Sequence, residues 1–169
     1  MPLAIFEFCL TINSTQQYCC VMLPPLTSEG LLPPGIHLAE WAEVWTVFAT
    51  SPRRQRLLAG FLRAIKSLKS AGCKMVYLDG SFVTSKENPG DFDGCWDSNG
   101  VNPGQLDPVL LKFDSGRIAQ KIKYGGELFP ATWLAEPNTM LTFIEFFQVD
   151  KDTGEAKGII AIDVERFIP

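Results

Sequence analysis

The spacing of apolar and polar residues changes several times along the chain, and each change marks an element. Leu57, Leu58, Phe61, Leu62, Ile65 and Leu68 recur at three- and four-residue intervals, while Arg53, Arg54, Arg56, Lys66 and Lys69 take the other side. That spacing is one apolar stripe of a helix lying on a core. Ser51-Pro52 supplies a capping side chain followed by proline at the first helical position, and Ala71-Gly72 supplies the stop. A shorter helix is expected over residues 38–48. Residues 74–78 read as a buried strand running into Gly80, residues 84–90 as a loop, and residues 91–97 as a second strand. Residues 103–113 and 116–123 read as helices, Gly125-Gly126 breaks the chain, and residues 127–129 read as a third strand. The runs 141–149 and 158–164 are rich in β-formers, with Asp150-Lys151-Asp152-Thr153-Gly154 as the turn of a C-terminal β-hairpin. This order predicts an α+β domain, a mixed sheet flanked by helices.

Ahead of the first helix, Leu23-Pro24-Pro25 and Leu32-Pro33-Pro34-Gly35 bracket a stiff segment, because proline fixes its own φ and pushes its predecessor toward extended backbone. Residues 1–21 therefore read as an N-terminal extension to a domain over residues 22–169. An edge strand over residues 3–12 is the alternative, and Ile5, Phe6, Phe8 and Leu10 would pair it with the sheet or with another chain.

Composition narrows the class. The 169 residues suit one domain, and 46% apolar content with four tryptophans indicates a folded globule. With 15 basic against 19 acidic residues the net charge is −4, so charge gives no indication of nucleic-acid binding. Cys9, Cys19, Cys20, Cys73 and Cys95 form an odd set without a CxxC pair, and His37 is the only histidine. Neither a disulfide framework nor a zinc site is suggested, and a reduced, cytoplasmic protein is expected. No apolar run is long enough to predict a membrane span.

The chemistry is concentrated after the first strand. Leu78-Asp79-Gly80-Ser81 ends it in a tight turn, and nine residues after Ser81 come Asp91-Phe92-Asp93. Side chains alternate along a strand, so Asp91 and Asp93 point the same way. Two carboxylates on one face repel, and a bridging divalent cation is the usual reason to build such a pair. A triphosphate carrying Mg²⁺ is the natural guest.

That arrangement resembles the signature of the polymerase-beta-type nucleotidyltransferase superfamily, a Gly-Ser turn followed by an Asp-x-Asp strand. The segments Leu32-Pro33-Pro34-Gly35-Ile36-His37, Tyr77 to Lys86, Lys123 to Pro130 and Phe146-Phe147-Gln148 further resemble a family of small bacterial nucleotidyltransferase-like proteins, over roughly residues 22 to 165. The resemblance implies Mg²⁺-dependent transfer of a nucleoside monophosphate from a nucleoside triphosphate such as ATP to a hydroxyl or amino acceptor. It implies that Gly80 and Ser81 meet phosphate oxygens and that Asp91 and Asp93 hold Mg²⁺. It also implies a third carboxylate. Glu127, opening a strand after a helix, is the first choice, and Asp163 and Glu145 also sit in β-rich runs. Lys86, Lys121 and Lys123 are candidates to reach phosphates, and Phe146, Phe147 or Trp96 to stack a base. Because only about 45 residues follow Lys123, a homodimer or a protein partner is expected to complete the cleft. The other reading the resemblance allows is a catalytically silent interaction module, such as an antitoxin-like partner in a bacterial toxin or defence system.

Other motifs are excluded on their residues. Asp91 to Asn102 lacks calcium-loop chemistry, since Cys95 stands at a ligand position, Trp96 at the turn glycine and Asn102 at the terminal glutamate. No Walker loop or dinucleotide fingerprint is present.

Overall fold

The computed structural model describes residues 23–136 and 138–169. The extension over residues 1–21, its candidate edge strand at 3–12, and Cys9, Cys19 and Cys20 lie outside the described residues.

The amphipathic run folds as the long helix the pattern predicts. After α1 (Trp41–Phe48), α2 (Pro52–Ser70) is capped by Ser51, whose Oγ accepts from the Arg54 N–H, with Pro52 at its first turn. Its stripe buries Leu57, Leu58, Phe61, Ala64, Ile65 and Leu68 against the sheet. Five strands follow the order β1-β5-β2-β3-β4. They are β1 (Gly35–Leu38), β2 (Met75–Asp79), β3 (Phe92–Trp96), β4 (Gly126–Pro130) and β5 (Gly158–Asp163). β1 runs parallel to β5 and β3 parallel to β4, whereas β2 is antiparallel to both of its neighbours, β5 and β3. The fold is α+β with a mixed sheet, as expected from the element order.

Strand alternation divides the core in two. Val76, Leu78, Phe92, Trp96, Leu128, Ile160 and Ile162 face the helices. Cys95, Phe129 and Ile159 face the other way, packed under Phe147 and flanked by Tyr77, Phe113 and Phe143. Segment 131–157 covers this second face and contains α4 (Phe143–Phe146).

Four expectations are corrected. Residues 35–38 form strand β1 rather than leading into a helix from Leu38, because the partner that makes them a strand, Gly158 to Ala161, lies 120 or more residues away. Residues 103–113 are turns with one 3₁₀ turn at Pro108–Leu111, where Pro108 removes a backbone donor and Asp107 caps Val109. The following helix α3 (Ile118–Tyr124) starts two residues late, because Gly116 and Arg117 adopt left-handed φ values of 63° and 56°. The expected C-terminal hairpin shrinks to a single bridge between Val149 and Ala156. Thr142 and Glu145 form a capping box that turns residues 143–146 into a helix, while β5 pairs with β1 and β2 instead of its sequence neighbour.

Among the described residues no helix is long and apolar enough to cross a membrane. Cys73 and Cys95 are both free and buried.

α2 and α3 touch at Gly60, where an added Cβ would fall 1.7 Å from the Tyr124 carbonyl oxygen. Alanine is the better helix former by about 1 kcal/mol, yet here backbone would have to move. Gly60→Ala is expected to destabilise the fold by about 2 kcal/mol, within the usual range for overpacking, as read from urea unfolding; an unchanged or raised midpoint would contradict this packing.

Candidate active site

Cross-strand register brings three acids into one row. Asp79 at the end of β2 pairs with Asp93 in β3, and Asp93 pairs with Glu127 in β4. Neighbouring strands lie about 5 Å apart, and paired residues share a face. Asp91 precedes Asp93 by two residues and extends the cluster outward. Gly80 makes this close approach feasible. Its φ is +80°, and a Cβ there would lie 2.2 Å from Asp93 Oδ2. The turn then continues as a 3₁₀ turn over Ser81–Val83, with the Thr84 hydroxyl donating to the Ser81 carbonyl at 2.8 Å.

The loop is held from behind by α2. Arg54, only 3% exposed, donates to the carbonyls of Phe48 (2.8 Å), Lys86 (2.8 Å) and Phe82, and its guanidinium lies over the Phe48 and Phe82 rings. One side chain thus fixes both ends of the segment that carries Ser81 and Lys86.

Cations meet most of the acids. Lys157 Nζ donates to Asp79 Oδ1 at 2.6 Å, and both residues are buried. Burial pushes the Asp79 carboxyl above the ordinary aspartate range, and Lys157 opposes that push. Glu127, 6% exposed, has both oxygens engaged: Oε2 accepts from Arg117 Nε and Nη2, each at 2.8 Å, and Oε1 from Lys121 Nζ at 2.6 Å. Lys121 also reaches Asp91 Oδ2 at 2.9 Å, and these two carboxylates raise its own pKa. Among the described residues Asp93 has no paired cation. Burial first, and then the charges of Asp91, Asp79 and Glu127, push its carboxyl up to about 6.

Asp79, Asp91, Asp93 and Lys157 line a cleft of about 670 Å³, within the usual range for small-molecule sites, whereas Glu127, Arg117 and Lys121 lie outside its lining. Gly80, Ser81, Asp79, Asp91, Asp93 and Lys157 form its base. Lys86 and Thr84 also line it, as do Leu141, Phe146, Phe147 and Asp150. Gly80, Ser81, Lys86, Asp91 and Asp93 are thus brought together, with Glu127 joined to them through Lys121.

The remaining candidates lie elsewhere. Asp163 sits at the far end of β5 from the row and accepts from the Glu165 and Arg166 N–H groups. The Glu145 carboxylate caps α4, accepting from the Thr142 hydroxyl at 2.6 Å. Trp96 is buried among the helix-facing residues, and Lys123 pairs with Asp107. His37 Nε2 lies 2.7 Å from the Pro33 carbonyl oxygen. Asp79, Arg117 and Lys157 were not singled out from the sequence. Asp79 does continue the alternation of Tyr77 onto the Asp91 face, a signal present in the sequence, whereas Lys157 and Arg117 reach the row only through tertiary packing.

Asp91 and Asp93 are the residues that would hold a hard divalent cation here, two carboxylates being too few to complete its shell. Among the described residues no group of three His, Cys, Asp or Glu side chains converges to hold a metal.

The fold and cleft define an α+β protein with an acidic row under a partly apolar wall. A model of a family of unknown function (DUF6932) matches residues 24–163, and the chain belongs to that family. No curated protein and no solved structure matches it.

Two outcomes follow from this geometry. An acid whose pKa is raised on folding destabilises the fold once ionised, so the Asp93 penalty is absent below the unfolded value near pH 4 and complete above about pH 6. In metal-free buffer Asp93→Asn should stabilise the protein by on the order of 2 kcal/mol at pH 7.5 and not at all below pH 4, read as the pH dependence of the unfolding midpoint; a loss of stability at pH 7.5 would show that Asp93 is held by something other than repelled acids. Arg54→Met leaves three carbonyls without their donor and should cost about 3 kcal/mol. Equal denaturation midpoints for Arg54→Met and the parent would remove Arg54 from its role behind the loop.

Proposed function

We propose that this protein binds a nucleoside triphosphate with Mg²⁺ in the cleft and transfers its nucleoside monophosphate to a hydroxyl or amino acceptor, in the cytoplasm. The observation that carries this reading is the meeting of Asp91 and Asp93 with the Gly80-Ser81 turn at the base of a nucleotide-sized cleft. The small residues of the turn let backbone N–H groups approach phosphate oxygens, and the Ser81 hydroxyl adds a donor. Lys86 stands at the rim to meet the outer phosphates, and Phe146 with Phe147 offers an apolar wall for the base. Mg²⁺ held by Asp91 and Asp93 would supply neutralisation of the triphosphate charge. The acceptor attacks the α-phosphorus and releases its proton, the bond to the bridging oxygen breaks, and pyrophosphate leaves. Catalysis is then mainly positioning and electrostatics. A second copy or a protein partner presents or completes the acceptor side.

One observation favours a second reading. Both oxygens of Glu127 already accept from Arg117 or Lys121, and Glu127 is not among the residues that line the cleft, so this carboxylate is not placed to take a proton from an acceptor bound there. On that reading the chain binds nucleotide without transferring it and acts as an interaction module.

Thermal unfolding with Mg²⁺ and each of the four ribonucleoside triphosphates tests the shared premise. A ligand at one hundred times its dissociation constant adds about 2.7 kcal/mol of stability, and the shift should vanish in Asp91→Ala/Asp93→Ala. Pyrophosphate release with a labelled product identifies transfer, while a shift without release identifies the silent module. Absence of any shift would dismiss both.

A further inference from the structure

One cation of the acidic row belongs to the chain itself. The Lys121 ammonium lies 2.9 Å from Asp91 Oδ2 and 2.6 Å from Glu127 Oε1, bridging a residue at the head of β3 to one in β4. Bridging two carboxylates from adjacent strands is what a second divalent ion would otherwise do there. Building on the nucleotide site proposed above, we propose that Lys121 is a tethered cation in that second position. The site then works with a single divalent ion, held by Asp91 and Asp93.

Three features carry this. First, among the described residues the ion pairs of Asp91, Asp93 and Glu127 are made by Arg117 and Lys121, while Asp79 is matched by Lys157. One negative charge is left over, and it belongs to the cation-free Asp93. In the nucleotide-free cleft that remainder draws in one divalent ion, whereas a second would have to enter a net positive cluster. Second, Glu127 cannot swing toward Asp93 without giving up its bonds to Arg117 and Lys121, both charge-assisted and both ending on a buried carboxylate. Third, Lys121 is placed before any ligand arrives. It sits in the last turn of α3, whose end is seated against α2 where the Tyr124 carbonyl meets Gly60. An ion pair whose partners are already ordered gives up little side-chain freedom.

The probe is Mn²⁺ alone, counted by electron paramagnetic resonance of the free ion during titration of the full chain. The expected result is one Mn²⁺ per chain for the wild type, two for Lys121→Gln, and one again for Lys121→Arg, which restores the tethered charge. Two ions bound by the wild type, or one ion still bound by Lys121→Gln, would overturn the role of Lys121 while leaving the nucleotide site standing. No ion bound by any variant would overturn the inference, and the triphosphate thermal shift then decides separately whether the nucleotide site survives. Should Lys121→Gln fail to fold, reductive methylation of the wild type followed by mass spectrometry gives the same decision. Lys121 should label at an unchanged rate as Mn²⁺ reaches saturation, and a several-fold faster rate would mean that the ion displaces it.

Discussion

Like charges on neighbouring strands are the constraint around which this molecule is arranged. Backbone pairing sets strands about 5 Å apart, so Asp79, Asp93 and Glu127, once in register, cannot separate without breaking the sheet. Hydrogen bonding along the strands therefore imposes a repulsion that side chains must relieve. Relief comes from two places distant in sequence: Lys157 just ahead of β5, and Arg117 with Lys121 at the start and within α3. The turns that deliver these residues, left-handed backbone at Gly116 and Arg117 included, make sense as routes for bringing charge to the row. Within the row, Asp93 is left without a paired cation among the described residues, and burial together with the neighbouring acids makes its carboxyl hold its proton more tightly than an ordinary aspartate.

The two faces of the sheet use different materials. On the helix side, Val76, Leu78, Ile160 and Ile162 meet the stripe of α2 in a continuous apolar core. The opposite side is aromatic where it is covered and acidic where it is open. Phe129 stacks on Phe143 with ring centroids 3.9 Å apart, and Phe113 and Phe147 crowd the same ring. The aromatic part anchors segment 131–157 on the sheet, and that anchoring builds the far wall of the cleft. A wall made of a short helix and turns takes its shape from this packing rather than from a backbone ladder.

The sequence was most legible where local rules and tertiary structure agree. The stripe from Leu57 to Leu68, the Ser51-Pro52 start and the run from Met75 into Gly80 each specify their own conformation. The Asp91-Phe92-Asp93 alternation specified one face, and the fold places that face at the cleft. Legibility failed where conformation depends on a distant partner. Residues 35–38 carry little strand signal of their own and become β1 by lying beside β5. Residues 141–149 suited a strand by composition, but the Thr142-Glu145 capping box outweighed that preference. Arg117 and Lys157 escaped for the same reason as β1, and Lys121, expected to reach phosphates, instead bridges Asp91 and Glu127, since nothing local tells a solvated lysine from one that folds back onto a carboxylate.

The order of the sheet also has a consequence for how the protein comes into being. β5 is made after the other four described strands, yet it lies between β1 and β2. Until β5 is made, β1 has no neighbour among the described strands, and Asp79 waits without the lysine that will neutralise it. The described sheet closes only when β5 arrives. Until then β1 and the β2-β3-β4 ladder stay unjoined, and a chain lacking β5 would lose an inner strand of the sheet rather than an edge.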